Sequence, residues 1–551
     1  MFSSILSMLV LGGPNLQAAP IPRADYNLQL DEYTLRLQDF TFPSGLRILF
    51  QSERTQPIVA ITSVIDRGSE HDQPSMDGIA HVVEHLAFRA NHGGVKNWDL
   101  IKQMGGSINA STSVDWTNYM TIAPRDTLVP LLRIEALRLK NGVANVTEKD
   151  VRTECEIARN ELRMRYENAA VGAAWDEIGN ALFPSDHPYA RSTIGSHETL
   201  SNINLKAVQE FVQDNYRPEY TTMVVVGDFD LSEAGSLLQE AFRGSEELLM
   251  SPEDAKTFAS LENENDQIKF LNTWYKEALS VPTPTPNRIQ CGERKEPPAP
   301  IQGRKDEFPK VKGMLESPHL VVAWSLPGGY CEDQTSMNLS AFLLQNYVTQ
   351  HLFPNPEVRA KNSGKVGCFV SADEYASQMI CFIEKAGPLA KMTNKKLAQE
   401  VQDSLYLQTR LYDPNTIQSK MKQMAFMNSK TYGMASILQS VDSVSNLFSG
   451  RATATAMYTH FTGDAAYFSS NIELINKASP EQALQIAEKY ITRDRMVGVV
   501  VEPMDEQERI LREQQAGKSS RSSEVKEYHA TTNEDRYTSV FDAGNVNKKL
   551  L

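Results

Sequence analysis

The sequence predicts an α+β fold built as two units of similar size. Three observations carry that expectation. Short β-rich runs alternate with helical patterns from Tyr33 to Val226, and a second set of the same kind runs from Leu320 to Val501. Each set ends in a valine-rich strand, Thr222-Met223-Val224-Val225-Val226 in the first and Val497-Gly498-Val499-Val500-Val501 in the second, which hints at an internal duplication. At 551 residues the chain also exceeds what one hydrophobic core organises, and length alone suggests roughly three to four domains.

The elements follow in order. Ile5 to Leu11 is apolar, too short to span a bilayer, and followed by Gln17-Ala18-Ala19-Pro20. Residues 1–19 therefore read as a cleaved secretory signal, although the first positive charge comes only at Arg23. Export to a periplasm or the exterior is the expected destination. A mitochondrial or cytoplasmic location is the alternative, and a transit peptide would need several arginines here. No later stretch approaches the ~20 apolar residues of a membrane helix.

A first domain is expected over residues 30–245. Tyr33 to Gln51 reads as two strands about the Pro43-Ser44-Gly45 turn, and Ile58 to Ile65 as another strand. Gly78 to Arg89 is helical by pattern, with Ile79, Val82, Val83 and Leu86 around three polar residues. Gly105-Gly106 breaks the chain before Ser107 to Ile122, rich in threonine and aromatics and suited to paired strands. Leu128–Asn141 and Lys149–Asn168 follow as helices, the second capped by Thr147. Proline runs at 282–286 and 296–300 mark residues 246–312 as a linker or insertion. The second domain is expected over 313–504, with a long helical stretch near Thr393–Tyr432. Residues 505–551 form a polar tail whose composition suits disorder.

Composition excludes some functions. A net charge of −14 argues against a global nucleic-acid footprint, and no basic cluster supplies one locally. Five cysteines without C-x-x-C spacing indicate neither a disulfide scaffold nor a cysteine-based zinc site, although one pair could form.

The chemistry centres on His81-Val82-Val83-Glu84-His85. On a helix, positions i, i+3 and i+4 share a face, so both imidazoles and the carboxylate point into one volume. Two such histidines can chelate Zn²⁺, and Glu84 can reach a water held by the metal. Catalytic zinc takes three protein ligands and keeps one position open. H-x-x-E-H is the inverted form of the commoner H-E-x-x-H pattern. Two histidines on a helix can also be accidental, so a third ligand matters. The helix over 149–168 carries Glu154 and Glu161, seven residues apart and about two turns on one face. Glu161 can be that ligand, while Glu154 can accept the free N–H of a ligating histidine. A solvated acidic face is the ordinary alternative for such a pair.

These residues resemble the pitrilysin family of zinc metallopeptidases, the inverzincins, in its short two-domain type similar to bacterial relatives of the mitochondrial processing peptidase β subunit. Glu161 lies 161 − 85 = 76 positions beyond the second histidine, the separation at which that family places its third ligand. Glu154 matches the glutamate seven residues earlier. Gly68-Ser69, Gly105 through Ala110 with Thr112, His187-Pro188-Tyr189, Ile194-Gly195, Tyr216-Arg217-Pro218 and Val226-Gly227-Asp228 occur in the family's order. The resemblance covers about residues 35–500, strongly in the first half and weakly in the second.

The resemblance implies two homologous α/β sandwich domains, each an antiparallel-rich sheet flanked by helices, together forming half of a clamshell. It implies one zinc per chain, held by His81, His85 and Glu161, with Glu84 as general base. It places Asn109 and Ala110 on an edge strand that pairs with extended substrate. Some relatives grip substrate carbonyls with an arginine and a tyrosine of the second domain. Here Arg359 is followed by Lys365-Val366-Gly367-Cys368-Phe369, with no tyrosine at that place. The implied activity is endopeptidase hydrolysis of peptides or unfolded polypeptides. A non-hydrolytic scaffold or assembly subunit is the alternative. The short members close their chamber by pairing, so a homodimer or a heterodimer with a related subunit is expected. His71, His92, His187 and His197 lack ligand spacing and are expected to be structural.

Overall fold

The computed structural model describes residues 25–278 and 296–510, apart from 31–32, 168, 301–307, 332, 411–425, 428, 432, 436–442, 448 and 466. The expected signal, the proline run at 282–286 and the tail beyond 510 lie outside the described residues.

The chain packs into two compact units, and neither is a single stretch of sequence. One comprises Met1–Glu156, Thr193–Gln290 and Met434–Leu474; the other comprises Ile157–Ser192, Cys291–Gly433 and Ile475–Leu551. The 246–312 stretch contains two helices, Pro252–Ala259 and Glu264–Ala278.

The first unit holds a seven-stranded sheet. Its strands are β1 (Asp25–Leu30), β2 (Tyr33–Thr41), β3 (Arg47–Ser52), β4 (Ile58–Ile65), β5 (Ser107–Thr112), β6 (Thr117–Pro124) and β7 (Thr221–Gly227). They lie in the order β1-β2-β3-β7-β4-β6-β5, with β3 and β7 parallel and the other neighbours antiparallel. Gly45, at φ +90, makes the β2–β3 turn that the sequence announced.

Strand β7 is buried throughout, which requires cover on both faces. Strand side chains alternate, and β4 shows where each face goes. Ser63 donates to Glu135 of helix Leu128–Asn141 at 2.7 Å, while its neighbour Thr62 bonds Thr453 of helix Arg451–Thr462 at 3.2 Å. The second of these helices comes from late in the chain and is buried from Arg451 to Phe461. Its small residues let it lie close on the sheet. Its polar ones find partners there: Arg451 with Glu53, and His460 with Thr222 at 3.1 Å.

The second unit repeats the plan. Strands β8 (Lys310–Gly313), β9 (His319–Pro327), β10 (Val366–Ser371), β11 (Ala376–Glu384) and β12 (Val497–Pro503) take the order β10-β11-β9-β12-β8. The valine-rich β12 is parallel to β8 and antiparallel to β9, as β7 is to β3 and β4. Strands β3-β7-β4-β6-β5 and β8-β12-β9-β11-β10 therefore have one topology, which makes the duplication visible in the backbone. The exchange of helices is reciprocal: Ala173–Leu182, from early in the chain, packs on β9 and β12. Its Trp175 lies edge-on to Phe382 at 5.7 Å between ring centroids.

Cys368 and Cys381, opposite each other on β10 and β11, form a disulfide, and Cys331 is disulfide-bonded as well. The allowance for one pair was therefore too small. Among the described residues no helix is long and apolar enough to cross a membrane.

Candidate metal centre

Helix Ile79–Arg89 begins at a backbone crossing that only glycine permits. Gly78 sits at φ +97, and a Cβ there would stand 2.6 Å from the Ile194 carbonyl oxygen. Gly195, at φ +76, faces back: its Cβ would lie 2.1 Å from the Asp77 carbonyl oxygen. Asp72 then satisfies the helix start. Its carboxylate accepts the Gly78 N–H at 2.6 Å and the Ala80 N–H at 3.1 Å, donors that the helix leaves without internal partners.

The helix turns His81, Glu84 and His85 to one face. His81 and Glu84 are buried, His85 is partly so, and the two imidazole centroids are 4.5 Å apart. Helix Glu148–Leu162 meets this face. Thr147 and Asp150 start it reciprocally: the Thr147 hydroxyl accepts the Asp150 N–H at 3.2 Å, and the Asp150 carboxylate accepts the Thr147 N–H at 2.9 Å. The helix ends at Leu162 rather than continuing to 168, passing into a π-helical turn over Arg163–Glu167.

Glu154 is 1% exposed and lies 3.0 Å from Nδ1 of His85. A carboxylate can only accept, so Nδ1 carries the proton and Nε2 keeps a lone pair for a metal. Arg89 donates to the same carboxylate from one turn further along. Burial pushes the Glu154 carboxyl up, but His85 and Arg89 outweigh it and hold the group below the usual carboxylate range.

Glu161 stands two turns beyond Glu154 on the same continuous helix. His81, His85 and Glu161 each offer one ligand atom, and these atoms lie within 4.8 Å of one another. They are the one such group found among the described residues. Two imidazoles, a carboxylate and an outer carboxylate on one imidazole form a donor set that suits Zn²⁺. Arg165 pairs with Glu161 at 2.6 Å.

Glu84 belongs to the same face. Its Oε2 accepts the Thr112 hydroxyl at 2.7 Å, from the last residue of β5. A buried pair, Tyr119 and Tyr216, bonds hydroxyl to hydroxyl at 2.7 Å, and Arg138 lies 3.9 Å from the Tyr119 ring centroid. Burial foremost, with the Glu84 charge adding to it, pushes both phenols well above their usual range.

Asn109 and Ala110 lie on β5, which is the sheet's edge and pairs with β6 alone. The Asn109 side chain accepts the Ala110 N–H at 2.9 Å. Arg359 is in the other unit, on helix Pro356–Asn362, where its guanidinium meets the Phe353 carbonyl at 3.5 Å. His187 stacks on Phe183 and accepts the Tyr189 N–H at 3.1 Å. Sequence reasoning assigned no role to Asp72, Arg89 or Thr112. Arg89 had a signal, since it stands four residues after His85 and so on the same helix face.

Comparison with known proteins identifies what the chain is similar to. Residues 47–187 match the family described as Insulinase (Peptidase family M16), and residues 202–383 match Peptidase M16 inactive domain. A zinc protease of Helicobacter pylori, PqqE, is 26% identical over 225 residues, 40% of this chain and 50% of the relative. The mitochondrial-processing peptidase subunit beta of Dictyostelium discoideum is 24% identical over 206 residues, 37% of this chain and 43% of the relative. The aligned part spans about half the length of these curated relatives. A crystal structure of a protease from Helicobacter pylori superposes with a TM-score of 0.63 at 18% identity, covering 85% of this chain and all of that one, and supports the fold.

Proposed function

The chain belongs to peptidase family M16, the pitrilysin family, and from that premise we propose that it is a zinc-dependent endopeptidase acting on peptides or unfolded polypeptides. The observation that carries the reading is the convergence of three donors, His81, His85 and Glu161, beside the buried carboxylate of Glu84. His81, His85 and Glu161 would hold the ion. When bound, zinc supplies Lewis acidity toward a carbonyl and toward water.

The chain's own residues supply the rest. Glu154 keeps His85 in the tautomer whose Nε2 is a donor. Glu84 takes a proton from the attacking water and delivers it to the leaving amine. Strand β5 offers its open edge to an extended peptide at Asn109 and Ala110, which orients the scissile bond.

The test combines zinc content with hydrolysis of a quenched-fluorescent peptide library. Stoichiometric zinc and cleavage abolished by chelation support the reading. Bound zinc without cleavage of any peptide favours a non-hydrolytic assembly subunit instead.

We further propose export and pairing. Disulfides at Cys368–Cys381 and Cys331 suit an oxidising compartment. N-terminal sequencing from native cells checks export, and an intact Met1 in the cytoplasm refutes it. Pairing with a second copy or a related subunit follows from the short members of the family. Light scattering tests it, and a fully active monomer near 61.6 kDa overturns it.

A further inference from the structure

We propose that Thr112 is the positioning residue for Glu84, fixing one carboxylate oxygen from the strand that receives the substrate; the inference rests on the peptidase reading above. The Thr112 hydroxyl donates to Oε2 of Glu84 at 2.7 Å. A threonine hydroxyl has one proton to give, and here it goes to Oε2, which holds that oxygen against the end of β5. The terminal torsion of a glutamate is broad and roughly two-fold, and a fixed donor on one oxygen selects one orientation.

The backbone that carries this hydroxyl is itself held. Strand alternation puts Thr112 on the same face of β5 as the buried Ile108 and Ala110, toward helix Ile79–Arg89. The chain then turns, with the Ser113 N–H bonded to the Trp116 carbonyl at 2.8 Å. The Ser113 and Val114 carbonyls accept the Ser69 and Glu70 N–H groups at 3.0 and 2.9 Å. Gly68 lets those backbones meet, since a Cβ there would stand 2.3 Å from the Val114 carbonyl oxygen. The pair Gly68-Ser69 thus acts as a clamp on the end of β5. One strand therefore both pairs with the peptide and aims the base, so the register of the substrate and the direction of proton transfer share a frame.

The test is Thr112→Val, which keeps the shape and removes the donor, beside Thr112→Ser, which restores it. Thr112→Val should lower kcat by about 10–100-fold, the range for a lost hydrogen bond to a charged group, with KM unchanged. Its zinc content and melting temperature should match the wild type, and Thr112→Ser should regain most of kcat. Wild-type kcat in Thr112→Val overturns the proposal alone. Loss of zinc in that variant, or no recovery with serine, also overturns it by making the residue structural. A wild type that holds zinc and cleaves nothing overturns the peptidase reading and this proposal together.

Discussion

Glu154 accepts the Nδ1–H of His85 at 3.0 Å from the helix that also carries Glu161. One helix thus fixes the tautomer of one candidate ligand and supplies another. Glu154→Gln keeps an acceptor but loses the charge that also holds Arg89. Zinc affinity should fall about 10–100-fold, measured by competition with a chromophoric chelator. An unchanged affinity would leave Glu154 with Arg89 as its sole task.

Glu84→Gln should keep zinc and lose about 10²–10⁴-fold in kcat, because the base goes while three ligands stay. His81→Ala, His85→Ala and Glu161→Ala should instead each lose the metal. Elemental analysis beside peptide hydrolysis separates the two behaviours. Wild-type turnover in Glu84→Gln would remove it as the base.

The crossing of Gly78 and Gly195 makes the start of the motif helix sensitive to a single methyl group. Gly195→Ala places a Cβ 2.1 Å from the Asp77 carbonyl oxygen at φ +76. Gly244 is a control, since it sits at φ +81 with nothing within 4 Å of a Cβ. Gly244→Ala should cost only the left-handed strain, about 1 kcal/mol. Gly195→Ala should cost clearly more and weaken zinc binding. Equal melting temperatures for the two would mean that the Asp77 segment moves aside freely.

Much of this site was legible in the sequence because its signals are local or evenly spaced. The H-x-x-E-H pattern set one helix face, and Glu154 and Glu161 shared another. The valine strands β7 and β12 announced the two units. Thr112 was visible as a residue but its role was not, since its bond to Glu84 joins residues 28 apart through a strand end and a helix. The exchanged helix Arg451–Thr462 was hidden for another reason. Amphipathic periodicity needs an exposed face, and this helix is buried all round with threonine, arginine and histidine bonded inside. The helices at 252–259 and 264–278 were masked by the proline-rich composition that follows them.

The exchanged helix supplies the last prediction. Arg47 of β3 makes two bonds to Asp39, Nε to Oδ1 at 3.0 Å and Nη2 to Oδ2 at 2.5 Å, and both side chains are almost wholly buried. Its Nη1 donates to the Gly463 carbonyl at 2.8 Å and reaches the Thr459 carbonyl at 3.4 Å, at the end of helix Arg451–Thr462. The Thr459 carbonyl also accepts the Gly463 N–H at 3.0 Å, the Gly463 carbonyl lies just past the helix, and a cation is favoured at that end of the dipole. Arg47→Met leaves the Asp39 charge buried without its cation and takes a donor from the helix end, and should cost about 3–5 kcal/mol in urea unfolding. Arg47→Met with Asp39→Leu removes the stranded charge as well, so the double variant should be more stable than Arg47→Met alone. The remaining deficit measures the helix end, which Asp39→Leu does not touch. If the double variant is as unstable as the sum of the singles, the two residues are not energetically coupled, and Arg47 acts on the helix alone.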